Sequence, residues 1–454
     1  MKVLLIHPKC KTEEISHLQI PLGLCYIASY IRKKHDVMIY DEPVEKKSLK
    51  KLIDNFNPDV IGFSFTTQSA YRAYQLVKKF KKNRLCVAGG IHPTFRPEEA
   101  LENGFDVVVL GEGERTFLKI LDALELKKKI EIIRGIAYRK NGIVTKTKPY
   151  KMIKNLDKIP FPAWDLLDIT KYEQGAITTS RGCPFNCAYC ASKKYYNRTF
   201  RQRSIKNVFK ELKIIVNKHN QKLVQFFDDT FTVNHKFVKD FCKLIIDSKL
   251  KFTWSVQARV DTIQNDFEML ELLKKAGCKL IIFGIESGSE KILKRINKNI
   301  TIQQMEDAIN LTKKAKIDVK TTWIVGLPGN FSEQIESLDL MKRLKPNQIT
   351  IHLCVPYFGT DLYEKRKEFG IWINDKVKSK DLYNFNPSYY ENNDLNKFFK
   401  YSYISFGDIF KIAKKMKSEM RKVGYISPDR YKSGDEKTIK TFLDKVKNPL
   451  IKEY

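Results

Sequence analysis

Residues 178–190 read TTSRGCPFNCAYC and place Cys183, Cys187 and Cys190 in the spacing C-x3-C-x2-C. Thiolates this close together bind zinc or an iron–sulfur cluster. A structural zinc site takes four ligands, and no fourth Cys or His lies nearby in the sequence. A cubane cluster held by three thiolates instead keeps one iron open for chemistry. The spacing therefore favours a 4Fe–4S cluster over zinc.

The stretch follows a predicted strand and opens a series of six strand–helix units. Predicted strands span 176–180, 223–228, 253–257, 280–284, 318–325 and 348–355, and helical patterns fill the gaps between them. Strands that alternate with helices in this way form parallel sheets. We therefore expect a partial (β/α)6 TIM-type barrel over residues 174–365, with its catalytic groups at the carboxyl ends of the strands.

The residues before the barrel show a second alternation of strands and helices. Strands are predicted at 2–8, 37–41, 60–67, 85–89 and 106–110, with helical patterns between them. Apolar, β-branched strands of this kind predict a parallel sheet that is covered on both faces. Residues 1–125 are therefore expected to form a doubly wound, Rossmann-like domain with its ligand site at the carboxyl ends of the strands.

Two further segments complete this α/β organisation. Residues 126–173 are a predicted linker, with a hairpin that turns at Asn141-Gly142 and then a proline-rich connector. Residues 366–454 form a predicted, mostly helical C-terminal tail with few chemical candidates. The tail would either cap the barrel mouth or simply pack against the barrel.

The cysteine spacing, with Tyr189 directly before the last cysteine, resembles the signature of the radical S-adenosylmethionine (SAM) superfamily. The resemblance implies an enzyme in which the open iron of the 4Fe–4S cluster is chelated by SAM. An electron from the reduced cluster then cleaves SAM to a 5′-deoxyadenosyl radical, which abstracts a hydrogen atom from the substrate. The resemblance also implies a reducing partner, such as flavodoxin or ferredoxin, and a small-molecule or peptide substrate.

Polar residues at the ends of the second to fourth barrel strands are similar in position to SAM contacts in that superfamily. Asp228 and Asp229 stand where many members carry Gly-Gly-Glu, and they would accept hydrogen bonds from the SAM amino group or else cap a helix. Arg259 would meet a carboxylate or form a surface ion pair. Glu286 and Ser287 would bind the ribose hydroxyls or the methionine moiety, or else form a turn and cap.

Two later strand ends also resemble the superfamily. Gly326 ends the fifth strand, where it would let an adenine ring approach closely, although a plain strand-end turn would look much the same. Residues 356–360 read PYFGT and resemble a Pro-Tyr-Pro-Gly-Thr loop common in one branch of the superfamily, with Phe358 in place of the second proline. The sequence assigns this loop no role.

In the same branch the domain before the barrel is a cobalamin-binding fold, and residues 1–125 resemble it. The resemblance implies cofactor contacts from these strand ends: Ser64, Thr66, Gly89, Gly90, Glu112 and Gly113. One departure concerns the Asp-x-His-x-x-Gly motif that places a histidine below the cobalt. The loop here begins His7-Pro8-Lys9-Cys10, with His17 further on, and lacks that motif. Either cobalamin binds without a histidine ligand, or the domain has lost cobalamin.

Composition and charge exclude several broad classes. The chain has 454 residues, with 83 Lys and Arg against 52 Asp and Glu, and a net charge of +31. The lysines are spread along the chain, mostly on polar helix faces, so we expect a solvated surface and no nucleic-acid partner. The other cysteines lie in apolar contexts, and no run of eighteen apolar residues is present. We therefore expect buried thiols, no membrane span and a cytoplasmic enzyme.

The preferred function is methyl transfer to an unactivated carbon or phosphorus centre, with cobalamin carrying the methyl group. Radical cyclisation or another rearrangement of the same branch is the first alternative. The second is a tRNA or ribosomal-protein methylthiotransferase, although Cys10, Cys25 and Cys86 lack the motif of its second cluster. The third is a non-catalytic cluster-bearing or metal-storage protein.

Overall fold

A seven-stranded sheet forms the N-terminal part of the computed structural model, which describes residues 1–10, 19–263, 265–374 and 398–422. Its strands are β1 (Lys2–His7), β2 (Asp36–Asp41), β3 (Val60–Ser64), β4 (Leu85–Gly89), β5 (Val107–Val109), β6 (Ile136–Lys140) and β7 (Ile143–Lys146). Their order is β2-β1-β3-β4-β5-β6-β7, and the first five run parallel. His17, considered above as a cobalt ligand, lies outside the described residues.

Helices cover both faces of this sheet: α1 (Leu22–Ile31), α2 (Leu49–Phe56), α3 (Ala70–Phe80), α4 (Ile91–Phe95), α5 (Pro97–Glu102) and α6 (Glu114–Glu125). Successive side chains of a strand point to opposite faces. Val3 and Leu5 of β1 accordingly pack with α1 and α6, whereas Leu4 and Ile6 pack with α2 and α3. The doubly wound, Rossmann-like arrangement predicted from the sequence is confirmed.

The hairpin predicted around Asn141-Gly142 belongs to the same sheet. β6 pairs antiparallel with β5, and β7 pairs antiparallel with β6. Asn141 and Gly142 have φ angles of 50° and 80°, the positive values that a two-residue type I′ turn requires. Residues 136–146 thus extend the first sheet at its edge.

A second sheet, of six strands, follows. The strands after the hairpin are β8 (Gly175–Ile177), β9 (Ser180–Arg181), β10 (Arg201–Gln202), β11 (Leu223–Phe226), β12 (Thr253–Ala258), β13 (Cys278–Glu286), β14 (Asp318–Val325) and β15 (Gln348–Leu353). The sheet order is β15-β14-β13-β12-β11-β8, with every pairing parallel, while β9 and β10 form a separate antiparallel pair. Six parallel strands with β8 and β15 at the edges agree with the predicted partial barrel.

The intervening helices are α7 (Ser192–Tyr195), α8 (Ile205–Lys213), α9 (His235–Ser248), α10 (Phe267–Lys275), α11 (Glu290–Arg295), α12 (Ile302–Lys314), α13 (Phe331–Leu344) and α14 (Asp361–Glu364). Capping boxes at Thr301 and Asn330 fix where α12 and α13 begin. One apolar cluster runs from β1 and α1 through Trp164 and Tyr172 into the barrel. The two sheets therefore share a continuous core.

The C-terminal tail lies against the ends of β14 and β15. Its described part consists of β16 (Ile371–Ile373) and β17 (Phe399–Tyr401), which pair antiparallel, and the helix α15 (Phe406–Lys422). The Tyr401 hydroxyl donates to the Cys354 carbonyl at 2.6 Å, and α15 packs against α13, β14 and β15. Within the described ranges, no helix is both long and apolar enough to cross a membrane.

Candidate functional site

The three clustered cysteines lie on the loop between β9 and α7, at the carboxyl end of the barrel. Gly182 opens the loop with a φ of 84°, and a Cβ there would overlap the Thr199 carbonyl oxygen, so only glycine fits. The Ala188 amide donates to Ile296 O at 2.8 Å, and the Leu362 amide donates to Ala188 O at 3.0 Å. The backbone of two barrel segments therefore holds the loop in place.

The spacing of the thiols bears on which metal they hold. Tetrahedral zinc with bonds of about 2.3 Å brings its sulfur ligands to about 3.8 Å from one another. Among the described residues, only His35, Asp122 and Glu125 form a group of three whose ligand atoms all lie within 4.8 Å. At least one pair of sulfurs among the three clustered cysteines therefore lies more than 4.8 Å apart, which is wider than a single zinc ion requires.

Burial opposes the ionisation of two of the three thiols, those of Cys183 and Cys190. Burial raises the pKa of Cys190 to about 12, and it also raises the pKa of Cys183. Both would be neutral thiols at pH 7 without a metal, whereas a coordinating thiol is deprotonated. Backbone amides of Phe185 and Ser192 donate to the Cys183 and Cys190 sulfurs. This donor set fits the iron–sulfur cluster predicted from the spacing.

Arg259, at the end of β12, reaches the cysteine loop. Its Nη1 lies 3.4 Å from Cys187 Sγ, and its guanidinium stacks 3.8 Å from the centroid of the Phe185 ring. The carboxylate it meets is Asp261, at 2.9 Å from both Nε and Nη2. Arg259 is 5% exposed, so this is a buried pair beside the loop and not a surface ion pair.

The two aspartates after β11 have different surroundings. Asp228 is 1% exposed and accepts hydrogen bonds from the Thr179 amide at 3.1 Å, the Thr179 hydroxyl at 2.7 Å and the Ser180 hydroxyl. It thus ties β11 to the chain leaving β8. Asp229 lies at the mouth of a cavity and accepts a hydrogen bond from the Ser192 hydroxyl at 2.7 Å. Of the expected pair, only Asp229 faces open space.

Glu286 and Ser287 also differ. The Tyr189 hydroxyl donates to Glu286 Oε1 at 3.0 Å, and Lys298 Nζ lies 3.1 Å from the same oxygen. Burial beside Glu286 raises the pKa of Tyr189, which keeps it a neutral donor. Ser287 is 1% exposed, and its hydroxyl accepts a hydrogen bond from the Ser289 amide at 3.1 Å. The Ser287 hydroxyl thus takes part in the turn after β13.

Gly326 is covered by the tail. A Cβ at this position would lie 2.9 Å from Ile409 Cδ1 of α15. The Gly326 amide donates to Gln334 Oε1 at 3.2 Å, and its carbonyl accepts from the Tyr403 hydroxyl at 3.2 Å. Both backbone groups are thus bonded within the protein, and the α-carbon faces the helix of the tail.

A cavity that is partly open to solvent lies between the carboxyl ends of the first sheet and the cysteine loop. Strand-end residues expected to contact a cofactor line it: Ser64, Gly89, Gly90, Glu112 and Gly113. Thr66 does not line it and is exposed. From the barrel, Thr178, Ser180, Arg181, Gly182, Phe227 and Asp229 line the same space. The cavity is therefore shared by both sheets.

Two glycines in the lining leave open space for a ligand. A Cβ at Gly23 or Gly111 would meet nothing within 4 Å, so both leave room in the cavity. At Gly90 the backbone itself excludes a side chain, because a Cβ there would lie 2.9 Å from the Phe65 amide nitrogen. Among the described residues that line the cavity, none is His, Cys or Met. His7 does not line it; its Nδ1 lies 2.7 Å from Asp41 Oδ1.

An ion-pair network crosses the boundary between the sheets at this cavity. Glu112 accepts hydrogen bonds from Arg181 at 3.0 Å and from Arg201 at 2.8 Å, and Arg181 also donates to Glu114 at 2.6 Å. Burial alone would raise the pKa of Glu112, but the two arginines hold it below its ordinary value. Sequence patterns missed both arginines, although Arg181 lies two residues before the first clustered cysteine.

The PYFGT loop docks the barrel onto the first sheet. A Cβ at Gly359 would lie 2.5 Å from Phe95 of α4, so the loop backbone rests on that ring. The centroid of the Phe358 ring lies 5.6 Å from the centroid of the His92 ring. The same ring centroid lies 4.7 Å from the guanidinium carbon of Arg96. The replacement of proline by phenylalanine thus supplies an interdomain contact.

Comparison with known proteins agrees with this architecture. Residues 177–341 match the radical SAM superfamily model, and residues 9–121 match the B12 binding domain model. The chain is 36% identical to an uncharacterized methyltransferase of Pyrococcus horikoshii over 80% of this chain and 83% of that protein. It is 30% identical to an anaerobic magnesium-protoporphyrin IX monomethyl ester cyclase of Rubrivivax gelatinosus, over 85% of this chain and 72% of that protein.

A solved structure shares the fold. It is the radical SAM methyltransferase TsrM of Kitasatospora setae with cobalamin and a 4Fe–4S cluster bound. The TM-score is 0.71 at 16% identity, covering 83% of this chain and 78% of that one. The likeness extends over both sheets and is therefore one of whole architecture.

Proposed function

The chain belongs to the radical SAM superfamily and carries a B12 binding domain, and we propose that it is a cobalamin-dependent methyltransferase acting on an unactivated carbon or phosphorus centre. One observation carries the proposal most directly. The cavity at the strand ends of the first sheet opens onto Gly182 and Asp229, beside the cysteine loop. Groups bound by the two sheets would therefore meet in one space, as transfer of a methyl group to a radical requires.

We assign Cys183, Cys187 and Cys190 as the cluster ligands. When bound, the cluster and SAM would supply the 5′-deoxyadenosyl radical, and cobalamin would carry the methyl group. Arg259 Nη1 lies 3.4 Å from Cys187 Sγ and so places a positive charge beside that ligand. The Arg259 guanidinium stacks on Phe185, the aromatic loop residue between the first two cysteines.

We assign Asp229, Glu286 and Tyr189 to the SAM site. Asp229 is an acceptor near the loop and would take hydrogen bonds from the SAM amino group. The carboxylate of Glu286 would accept from the ribose hydroxyls, a pairing that carboxylates make at strand ends of nucleotide-binding folds. Tyr189 orients Glu286 through its hydroxyl. Asp228 acts indirectly, because it holds the chain that leads into the cysteine loop.

Cobalamin is proposed to bind in the cavity without a histidine below the cobalt. Gly23 and Gly111 leave room for the corrin ring, and the described lining offers no imidazole or thiol. The test is anaerobic reconstitution with iron, sulfide and hydroxocobalamin, followed by gel filtration and spectroscopy. One cobalamin per chain that stays with the protein through gel filtration, seen in the absorption spectrum, is the expected result. Failure to retain cobalamin would refute the methyltransferase.

Radical cyclisation is the second candidate, favoured by the similarity to the cyclase of Rubrivivax gelatinosus. SAM labelled with deuterium in its methyl group separates the two. A methyltransferase transfers the label to its product and releases both 5′-deoxyadenosine and S-adenosylhomocysteine. A cyclase releases 5′-deoxyadenosine, and its product carries no label.

The methylthiotransferase alternative loses its structural basis. Cys25 packs on one face of the first sheet and Cys86 on the other. They cannot ligate one cluster, because the sheet separates them. Iron analysis should accordingly give about four irons per chain and not the eight of a two-cluster enzyme.

A further inference from the structure

A buried ammonium group lies where β13 meets the cysteine loop. Lys298 is 4% exposed, and its Nζ donates to the Tyr189 hydroxyl at 3.0 Å and to Glu286 Oε1 at 3.1 Å. Lys298 follows α11 and comes from a different part of the chain than either partner. Charged lysines are almost never fully buried unless they are paired. Its burial therefore depends on Glu286.

The backbone at Glu286 is arranged to present its carboxylate to these partners. Glu286 ends β13 with a φ of 67°, and the pairing of β13 with β14 shifts register between Gly284 and Glu286. A Cβ at Gly284 would overlap Glu286 Oε1, so the Glu286 side chain folds back over a glycine. Left-handed backbone at a non-glycine residue is strained and persists where its surroundings enforce it.

The backbone of the same lysine is tied to the cysteine loop. Arg259 Nη2 donates to Lys298 O at 2.8 Å, while Arg259 Nη1 lies 3.4 Å from Cys187 Sγ. Two residues earlier, Ile296 O accepts the Ala188 amide at 2.8 Å. Residues 296–298 therefore run alongside the loop, and Lys298 connects it to the strained end of β13.

We propose that Lys298 is a positioning residue for SAM, which fixes the Glu286 carboxylate so that it can accept hydrogen bonds from the ribose hydroxyls. The inference rests on the proposed role of Glu286 at the SAM site. Within the described residues, the side-chain hydrogen bonds from Tyr189 and Lys298 both fall on Oε1. The two donors hold the carboxylate in one orientation, and Oε2 is the oxygen that would accept from the ribose hydroxyls.

The test measures SAM affinity of the reconstituted holoprotein by calorimetry, together with its iron content. Lys298→Met removes the charge and keeps the length of the side chain, and we expect SAM to bind about tenfold more weakly, which corresponds to about 1.4 kcal/mol. Lys298→Arg should restore part of the affinity. Lys294→Met, an exposed lysine four residues earlier, is the matched control and should bind SAM as the native protein does.

A double-variant cycle separates positioning from a merely structural role. If Lys298 acts through Glu286, then Glu286→Gln with Lys298→Met should bind SAM no more weakly than Glu286→Gln alone. SAM should also cause a smaller change in the paramagnetic resonance spectrum of the reduced cluster in Lys298→Met. Native affinity in Lys298→Met, additive losses in the double variant, or loss of iron from all Lys298 variants would each overturn the proposal. A native holoprotein that binds no SAM would instead refute the proposed function.

Discussion

Removal of the Glu112 side chain should destabilise the junction between the two sheets by an amount that follows from its burial. Glu112 receives charge-assisted hydrogen bonds from Arg181 at 3.0 Å and from Arg201 at 2.9 and 2.8 Å. The side chains of Glu112 and Arg201 are only 10% and 6% exposed. Removing one partner of a buried ion pair costs about 3–5 kcal/mol, because it leaves an uncompensated charge. Glu112→Ala should therefore lower the free energy of unfolding by about this amount.

A matched exposed pair provides the control. Arg32 and Asp165 also form a bidentate pair, at 2.7 Å for both contacts, but their side chains are 38% and 52% exposed. Solvent screens such pairs, so Asp165→Ala should cost no more than about 1 kcal/mol. Urea titration at pH 7, followed by tryptophan fluorescence under anaerobic conditions, measures both variants. Equal losses in the two variants would refute the reasoning from burial.

The ion pairs of Glu112 also predict that the free energy of unfolding depends on pH. The arginines hold the pKa of Glu112 in the folded protein below its ordinary value. The stabilisation is therefore present above the ordinary carboxyl pKa of about 4.3 and is lost as the pH falls through the lower folded value. The difference in stability between the native protein and Glu112→Ala should shrink in acid. A difference that stays constant down to pH 3 would contradict the assigned ion pairs.

Three further predictions concern the sites themselves. Replacing any one of the three clustered cysteines by alanine should abolish stoichiometric iron binding. The control Cys242→Ala, in the buried barrel core, should still bind iron. An intact cluster in a variant of a clustered cysteine would refute the ligand assignment. Gly23 lies on α1 with open space around its Cβ position, so the variant Gly23→Leu should fold normally but should no longer retain cobalamin on gel filtration. Unchanged retention would place the corrin elsewhere. Asp229→Asn should weaken SAM binding, measured by calorimetry, without loss of stability. Asp228→Asn should instead mainly lower the midpoint of unfolding in urea. The opposite pattern would reverse the two roles.

Much of the fold could be predicted from local patterns. Apolar β-branched runs separated by 3.6-period segments identified five parallel strands and then six, because strand and helix periodicities are local properties of the chain. The hairpin at Asn141-Gly142 was likewise local, since two positive φ angles favour those residues. That this hairpin joins the first sheet was not predictable, because an edge pairing depends on which strand is left at the edge.

The sequence by itself determined the cysteine spacing, and with it the chemistry, because three thiolates within one loop need no tertiary partner to be recognised. Tertiary structure alone decided which neighbouring polar residues face the site. Asp228 and Asp229 are adjacent in sequence, yet one is enclosed by Thr179 and the other opens on the cavity. Lys298 and Arg201 carried no local signal, because Tyr189 and Glu112, which they contact, lie far from them along the chain. A buried charge is stable only beside its counter-charge, and folding is what brings the two together.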